Sequence, residues 1–254
     1  ETTIDDPAEG EFLIRNQYMS VDPAMRPRLS NGQQPLHKPL GAGTIGVVTA
    51  SRHSAFAEGD VVQHGLGFRE HVVSDGRGVS RLDAAGFPPT LYMHVLGPTG
   101  FTAWGGMLIT GELNDGENVF VSAAAGAVGS VAAQIARIKG CYVIGSAGSE
   151  RGTELVRSQG AHPVDHTKDG YIDAVKELTG GEGPDLILEM LANVNLQNDL
   201  ELVRTYGRVV IVGNRGTIEV NPRTTMMKEL DVIGIALWNC PQDELRAIHV
   251  AIIA

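Results

Sequence analysis

Two patterns of apolar and polar positions divide the chain. Over roughly the first ninety residues, short apolar runs such as EFLIRNQYMSV, GTIGVVTA, GDVVQH and EHVVS are separated by turn-forming residues. This pattern predicts an antiparallel or barrel-like β domain. After Pro98, strand-like runs alternate with helical segments, which predicts a doubly wound parallel sheet. We therefore expect an α/β protein with a β-rich domain over residues 1–95 and a parallel α/β domain over residues 96–254.

The second pattern predicts individual elements. Strands are expected at ENVFVSAA, CYVIGSAG, HPVD, PDLILEML, RVVIVG and LDVIGIAL, and helices at GFTAWGGMLITGEL, GSVAAQIARIKG, ERGTELVRSQG, YIDAVKELTG and NLQNDLELVRTYG. Leu245, Ile248, Ala251 and Ile252 recur at helical spacing near the end. That apolar helix at the end of the sequence needs a partner surface, and the sequence begins with Glu rather than Met. We therefore expect both ends to be cut from a longer chain.

Composition excludes several classes of protein. The chain is 43% hydrophobic and 20% charged, as in a soluble globular protein of one or two domains. Its net charge of −10 argues against nucleic-acid binding, which needs clustered Lys and Arg. No apolar run approaches the ~20 residues of a membrane span. The two cysteines cannot supply the four ligands of a structural zinc, and their scarcity favours a reducing, cytoplasmic compartment.

Small residues are concentrated in the stretch VSAAAGAVGSVAAQ, residues 121–134. Between a predicted strand and a predicted helix, they follow the spacing G-x-G-x-x-G with Ala in the first position. Such a corner permits a tight turn, approach of a pyrophosphate and close helix packing, and the helix start offers free amides. We predict a dinucleotide site rather than an empty corner. Its diphosphate contacts are Ala124, Gly126, Ala127, Val128 and Gly129.

The end of the next strand favours NADPH over NADH. An NAD site needs an acidic residue there for the ribose 2′-hydroxyl, whereas the strand ends in GSAGSER. Ser146 lies at its tip, Arg151 suits a 2′-phosphate, and His166 is expected to flank the adenosine. Glu150 would repel that phosphate if it faced inward. The alternative is that Glu150 and Arg151 form only a solvated helical turn.

Longer runs carry a family resemblance. GPTGFTAWGGM, AAAGAVG and GRVVIVGNRGTIEVNP resemble the zinc-independent branch of the medium-chain dehydrogenase/reductase superfamily. Residues 10–148 are most similar to prostaglandin and curcumin (enone) reductases, through YMSVDPAMRPRL, VSDGRG and AAAGAVGSVAAQIARIKGC. Residues 149–240 resemble zeta-crystallin quinone oxidoreductases, through LILEMLANVNLQNDL and GTIEVNPRTTMMKE. This change near residue 148 leaves a recombined chain as an alternative origin.

The resemblance implies a GroES-like N-terminal domain, a Rossmann domain and a homodimer joined through the sheet edge, with LDVIGIAL as the candidate edge. Zinc-dependent relatives have Gly-His-Glu where this chain reads PLGAGTIGVV, so no metal is expected. Without a Lewis acid, hydride delivery from NADPH to a quinone or to the β-carbon of an enone is the implied reaction. A non-catalytic, crystallin-like or RNA-associated NADPH binder is the alternative.

The resemblance also implies a substrate side in the first domain. Asp22 and Arg26 match positions at the floor of the family's active site, and Ala24 stands where many enone reductases have Tyr. Tyr18 and Tyr92 are candidate substitutes for the missing hydroxyl. The alternatives are an Asp-Pro turn at Asp22, with Arg26 as its ion-pair partner.

Around the nicotinamide, the resemblance implies roles for Thr102, Asn193, Gly213, Asn214 and Arg215. The last three follow a strand at the edge of the sheet where ligands bind in open α/β folds. A hydroxyl bonded within its own helix is the alternative for Thr102, and a surface charge is the alternative for Arg215.

The histidines show no arrangement of their own. His37, His53 and His64 follow no ligand or triad spacing, and they are expected on the surface or in turns.

Overall fold

The computed structural model describes residues 6–82 and 86–253, and the chain divides into two compact units, Glu1–Met93 and His94–Ala254. The first unit contains an antiparallel five-stranded sheet of order β4-β1-β2-β3-β5. Its strands are β1 (Phe12–Met19), β2 (Thr44–Ser51), β3 (Val61–His64), β4 (His71–Ser74) and β5 (Val79–Arg81). Alternate side chains of these strands, including Phe12, Ile14, Val48, Val62 and Val72, form its core.

A short helical segment follows β1. Pro23–Met25 form a 3₁₀ turn and α1 (Arg26–Ser30) continues it, with a proline near the start of each. Proline is favoured at this position because its φ suits the helix and its missing N–H is not needed there. The β-like sequence pattern predicts no helix in this domain, because these five-residue elements are too short to show a period.

The second unit is a parallel six-stranded sheet of order β11-β10-β9-β6-β7-β8, with helices between the strands. Its strands are β6 (Asn118–Val121), β7 (Tyr142–Ala147), β8 (His162–Asp165), β9 (Leu186–Glu189), β10 (Arg208–Ile211) and β11 (Asp231–Gly234). Its helices are α2 (Pro98–Trp104), α3 (Ala127–Ile138), α4 (Glu150–Ser158), α5 (Tyr171–Leu178), α6 (Ala192–Leu202), α7 (Pro222–Lys228) and α8 (Gln242–Ile253). This confirms the predicted α/β fold, which has a doubly wound Rossmann sheet in one unit and a β-rich sheet in the other.

Two elements differ from the sequence-based prediction. The segment predicted as one helix from residue 100 to 113 is α2 followed by a π-helical stretch, Gly105–Thr110. Added Cβ atoms on Gly105 and Gly106 would lie 3.0 Å from Ile235 and Leu188, so this wider stretch packs its backbone closely on neighbouring apolar side chains. The polar helix α7 is missing from the prediction, because it begins through the Asn221 cap and Pro222 rather than an apolar period.

All the β–α corners of the parallel sheet lie at the carboxyl ends of its strands. The sheet order changes direction between β6 and β9, which both lie at its centre. In open α/β sheets the ligand crevice forms at such a reversal. No helix in the described part of the chain is long and apolar enough to span a bilayer.

Candidate functional site

The corner between β6 and α3 is a tight turn. Ala123 has a left-handed backbone with φ +48°, and the Gly126 amide donates to its carbonyl at 2.8 Å. A Cβ on Gly129 would overlap the Ala123 carbonyl oxygen and lie 2.9 Å from Ala124 Cα. The first turn of α3 therefore approaches the preceding loop so closely that no residue larger than glycine fits at position 129.

The same corner is open to solvent. Ala123, Gly126 and Ala127 are exposed, and Gly126 caps the helix without a side-chain hydrogen bond. The amides of the first helical turn, from Ala127 to Gly129, therefore have no intrahelical acceptor. Open amides and the positive end of the helix dipole suit a diphosphate.

Ser146 and Ala124 support the turn from behind. Both are buried; the Ser146 hydroxyl accepts from the Ala123 amide at 3.1 Å and its carbonyl accepts from the Ala124 amide at 2.8 Å. A Cβ on Gly145 would lie 2.6 Å from that of Ala124. These two residues shape the corner, and their direct contact with a cofactor stays a prediction.

The ends of β7 and β8 bring polar groups together beside this corner. Ser149 caps α4 by accepting from Gly152 N at 3.1 Å. Glu150 and Arg151 follow in the exposed first turn, and neither forms an ion pair within the described ranges. The His166 amide donates to the Ala147 carbonyl at 3.2 Å, and its exposed ring lies against Gly148.

One carboxylate lies next to His166 at the same edge. Asp165 accepts from the Thr167 hydroxyl at 2.7 Å and from its amide at 2.9 Å. These bonds, and to a smaller extent the charges of Lys168 and His166, lower the pKa of Asp165. Asp165 is therefore held in its own turn as an ionised acceptor, and among the described ion pairs it is not a partner of Arg151.

The ends of β9 and β10 are joined by hydrogen bonds. Asn193 Oδ1 accepts from Arg215 N at 2.8 Å, and the Ala192 amide donates to the Gly213 carbonyl at 2.9 Å. A Cβ on Gly213 would overlap the Met190 carbonyl. Asn214 Nδ2 closes the loop by donating to the Gly216 carbonyl at 2.8 Å. The structure thus brings Asn193, Gly213, Asn214 and Arg215 into one loop pair.

Thr102 lies on α2, where its hydroxyl donates to the Pro98 carbonyl at 2.7 Å. This is the bond expected of a threonine satisfied within its own helix. The hydroxyl oxygen keeps the capacity to accept a further bond, so a cofactor contact at Thr102 stays a prediction.

The substrate-side candidates belong to the first unit. Tyr18 is exposed near the end of β1, and Tyr92 is buried. The Ser20 hydroxyl donates to Asp22 Oδ2 at 2.6 Å, and Asp22 begins the 3₁₀ turn. Arg26 is exposed, and within residues 6–82 it forms no ion pair with Asp22, so the suggested pairing is wrong.

The expectation that His64 lies on the surface or in a turn is wrong, because this residue is buried in the first unit. Its Nδ1 accepts from Leu66 N at 3.2 Å, which leaves Nε2 to donate to Asn16 Oδ1 at 3.0 Å. Burial, and then the charge of Arg69, lowers the pKa of His64 to about 4. The surface expectation fails because β3 points this side chain inward. His37 does lie in an exposed turn, and His53 is half-buried against Phe12 and Phe56.

Two carboxyl groups beside the β9–α6 corner were missed by sequence reasoning. Glu189 ends β9 fully buried, and Asp199 on α6 is 2% exposed. Burial, and then the neighbouring Glu189, raises the pKa of Asp199 to about 9. The signal in the sequence was the single acid inside the apolar run LILEML.

Among the described residues, no cluster of metal-ligating side chains accompanies these groups. Across residues 6–82 and 86–253, His, Cys, Asp and Glu form no cluster of three or more that could hold an ion. Cys141 is buried and bonds to the Asn114 carbonyl, while Cys240 lies apart. Among the described residues, therefore, no cluster of side chains offers a zinc ion its ligands.

The central parallel sheet and its open glycine corner define a dinucleotide-binding Rossmann protein. Residues 127–252 match the family model described as "Zinc-binding dehydrogenase", and residues 1–82 match "N-terminal domain of oxidoreductase". The human "Quinone oxidoreductase" is 36% identical over an alignment that covers 97% of this chain and 77% of that protein. The chain therefore belongs to the medium-chain dehydrogenase/reductase superfamily, in its zinc-independent branch, as the sequence predicts.

Further proteins and solved structures are similar to this chain. Mouse "Prostaglandin reductase 1" is 34% identical over 80% of this chain and 63% of its own length. The crystal structure of CurA in complex with NADPH from Vibrio vulnificus has a TM-score of 0.87 and 27% identity, covering 100% of this chain and 80% of that one. A quinone oxidoreductase structure from Pseudomonas syringae has a TM-score of 0.77 and 25% identity, over 100% and 82% of the two chains.

Proposed function

We propose that the chain is a zinc-independent, NADPH-dependent oxidoreductase that transfers hydride to a quinone or to the conjugated double bond of an α,β-unsaturated ketone. The open amide corner at residues 123–129 carries this proposal, because it offers a diphosphate an exposed helix start lined by small residues. The relatives named for quinone and prostaglandin reduction support the acceptor class. The NADPH complex of CurA supports the cofactor.

The cofactor residues follow from the positions of the groups. We assign the diphosphate to the amides of Gly126, Ala127, Val128 and Gly129, on the turn that Ala124 and Ser146 support. Arg151 and His166 are assigned to the 2′-phosphate and the adenosine, since both are exposed beside that turn. The nicotinamide side is assigned to Thr102, Asn193, Gly213, Asn214 and Arg215.

The acceptor side is assigned to the first unit. When bound, NADPH supplies the hydride, and the protein's task is to position the acceptor and to control its charge. Arg26 and the Tyr18 hydroxyl are exposed donors for a carbonyl or quinone oxygen. The Asp22 carboxylate is oriented by Ser20. Solvent or a nearby hydroxyl then protonates the reduced acceptor.

The cofactor assignment is tested by comparing NADPH with NADH. We expect the wild-type protein to bind NADPH about tenfold or more tightly, because a charge-assisted bond to the 2′-phosphate contributes roughly 1.5–3 kcal/mol. Arg151→Ala should remove most of this difference. Glu150→Gln, its neighbour in the same exposed turn, is the matched control and should retain it. Equal affinities for both cofactors, unchanged in Arg151→Ala, contradict NADPH specificity.

A turnover assay separates an enzyme from a non-catalytic binder. Loss of reduced-nicotinamide absorbance is followed with an ortho-quinone and, separately, with an enone. We expect oxidation of NADPH with at least one acceptor. Tight NADPH binding without turnover of either would favour the crystallin-like alternative.

One edge of the parallel sheet is open to a second copy of the chain. We infer a homodimer joined through β11, an edge strand with Val232 40% and nearby Trp238 84% exposed. Val232→Lys should then convert a dimeric mass in light scattering to a monomeric one, and a monomeric wild-type protein contradicts the inference. The free thiols of Cys141 and Cys240 and the use of NADPH support a cytoplasmic location.

A further inference from the structure

Glu189 and Asp199 form a buried carboxyl pair beside the β9–α6 corner. Both side chains are buried, and the charge of Glu189 and a hydrogen bond between the two carboxyls both raise the pKa of Asp199. Glu189 Oε2 and Asp199 Oδ2 are both buried and have no donor among the described residues. Two ionised carboxylates in this position would repel each other, whereas one proton between them supplies the missing donor.

The other carboxylate oxygen of Glu189 holds the corner itself. Oε1 accepts from the Leu191 amide and from Asn195 Nδ2, the latter at 3.0 Å. The Glu189 backbone carbonyl accepts from Val212 N at 2.8 Å and from Gly213 N at 3.2 Å. One residue therefore joins the end of β9, the first turn of α6 and the end of β10.

These bonds extend to the loop assigned to the nicotinamide side. Ala192 N donates to the Gly213 carbonyl, and Asn193 accepts from the Arg215 amide. A displacement of Glu189 would therefore move Asn193 and residues 213–215 together.

No cation of the described residues neutralises the pair. Across the described ranges, neither carboxyl forms an ion pair with Lys, Arg or His. Among the described residues, the titratable side chain of Tyr171 on α5 also interacts with the pair; burial raises its pKa, and its hydroxyl bonds to Asn198. Lys228 of α7 donates to the backbone carbonyls that follow Asp199 at the end of α6, and among the described residues it forms no ion pair with either carboxyl. With burial and Glu189 both raising the pKa of Asp199, the pair keeps its proton at neutral pH.

We propose that Glu189 and Asp199 share one proton, and that this proton holds the β9–α6 corner and residues 213–215 in the conformation that receives the nicotinamide end of the cofactor. The identity of that cofactor rests on the proposed function. Glu189 and Asp199 are positioning residues, because they are buried and act through Asn193 and Gly213–Arg215. Loss of the proton leaves two adjacent negative charges in a dry site, which displaces Glu189 and opens the corner.

Asp199→Asn tests this proposal. The asparagine amide has nearly the same shape as the protonated carboxyl and can donate an N–H to Glu189, but it cannot titrate. The exposed Asp173→Asn on α5 is the matched control. Between about pH 8 and about pH 10, we expect the NADPH Kd of the wild type and of Asp173→Asn to rise about tenfold, as one proton is lost. The Kd of Asp199→Asn should change by less than about threefold. If Asp199 had only a structural role, the NADPH Kd would depend on pH in the same way with and without this substitution.

Infrared spectroscopy of the cofactor-free protein observes the proton directly. The wild type should show a protonated carboxyl C=O band at neutral pH that disappears in alkali and is missing from Asp199→Asn. Absence of that band overturns the shared proton, and parallel Kd profiles in wild type and Asp199→Asn overturn the positioning role. Failure of every variant to bind NADPH at neutral pH contradicts the proposed function instead, while the infrared result still decides the protonation.

Discussion

Gly126 and Gly129 lie in one turn but face different surroundings. A Cβ on Gly129 would collide with the backbone of Ala123 and Ala124, so this glycine is required by the fold itself. A Cβ on Gly126 would come no closer than 3.0 Å to the Ala123 carbonyl, and this residue is exposed. The space above Gly126 is therefore available to a ligand. The glycine spacing contains both requirements, and only the structure separates them.

Alanine substitutions should distinguish the two roles. Gly129→Ala should lower the free energy of unfolding by about 1–3 kcal/mol, the usual cost of overpacking. Gly126→Ala should change stability by less than about 1 kcal/mol but weaken NADPH binding about tenfold or more, because the methyl group occupies the diphosphate position. Urea unfolding and cofactor titration measure the two effects. If Gly126→Ala binds NADPH as tightly as the wild type, the diphosphate does not bind at this corner.

Helix α7 supplies hydrogen-bond donors to the C-terminal carbonyls of α6. Lys228, the last residue of α7, donates from Nζ to the carbonyls of Leu200, Glu201 and Val203 at 3.1, 2.7 and 2.8 Å. Carbonyls at a helix C-terminus lack intrahelical donors and carry the negative end of the dipole. Burial is the main cause that lowers the pKa of Lys228. The ammonium therefore serves as the C-terminal cap of α6.

Lys228→Met tests this cap, because it keeps the aliphatic stem and removes the donors. We expect a loss of about 1–2 kcal/mol in the free energy of unfolding, since three carbonyls lose a charged partner. Arg223→Met, at an exposed position of the same helix, should change stability by less than about 0.5 kcal/mol. Equal losses in both variants would show that α7 needs positive charge in general rather than this cap.

The two compact units are expected to respond to pH in opposite directions. In the first, the pKa of His64 is lowered to about 4 from 6.5. The unfolded chain then binds the extra proton, so this stabilisation is fully present above the unfolded pKa and is lost as pH falls toward 4. In the second, the pKa of Asp199 is raised from 3.8. The native state of the second unit holds the extra proton. Its stability is therefore greatest below the pKa that Asp199 has in the unfolded chain, and it declines as the pH rises toward the pKa of Asp199 in the folded chain.

Fluorescence can follow the second unit by itself, because both tryptophans, Trp104 and Trp238, belong to it. Between about pH 6 and about pH 8, we expect its free energy of unfolding to fall by up to about 1.4 kcal/mol per pH unit through Asp199. Asp199→Asn should remove that slope. A slope that is unchanged in Asp199→Asn would assign it to other groups.

The first unit requires a separate measurement. Hydrogen exchange of β1 and β3, where His64 bonds to Asn16, should report increasing local opening as the solution is acidified from about pH 6.5 to about pH 5. His64→Gln keeps a donor toward Asn16 without the titration and should show a flatter profile. The same acid dependence in both proteins would contradict the role of His64.

The sequence alone determined the alternation of strands and helices, the glycine corner and the family, because these depend on local periodicity and residue size. The spacing of Ala124, Gly126 and Gly129 is readable without coordinates, since it reflects a constraint between near neighbours. The tertiary structure alone decided the direction of His64, the cap made by Lys228 and the pairing of Glu189 with Asp199. Those features join residues on different elements, and their protonation and bonding depend on burial and on charges that no local pattern encodes.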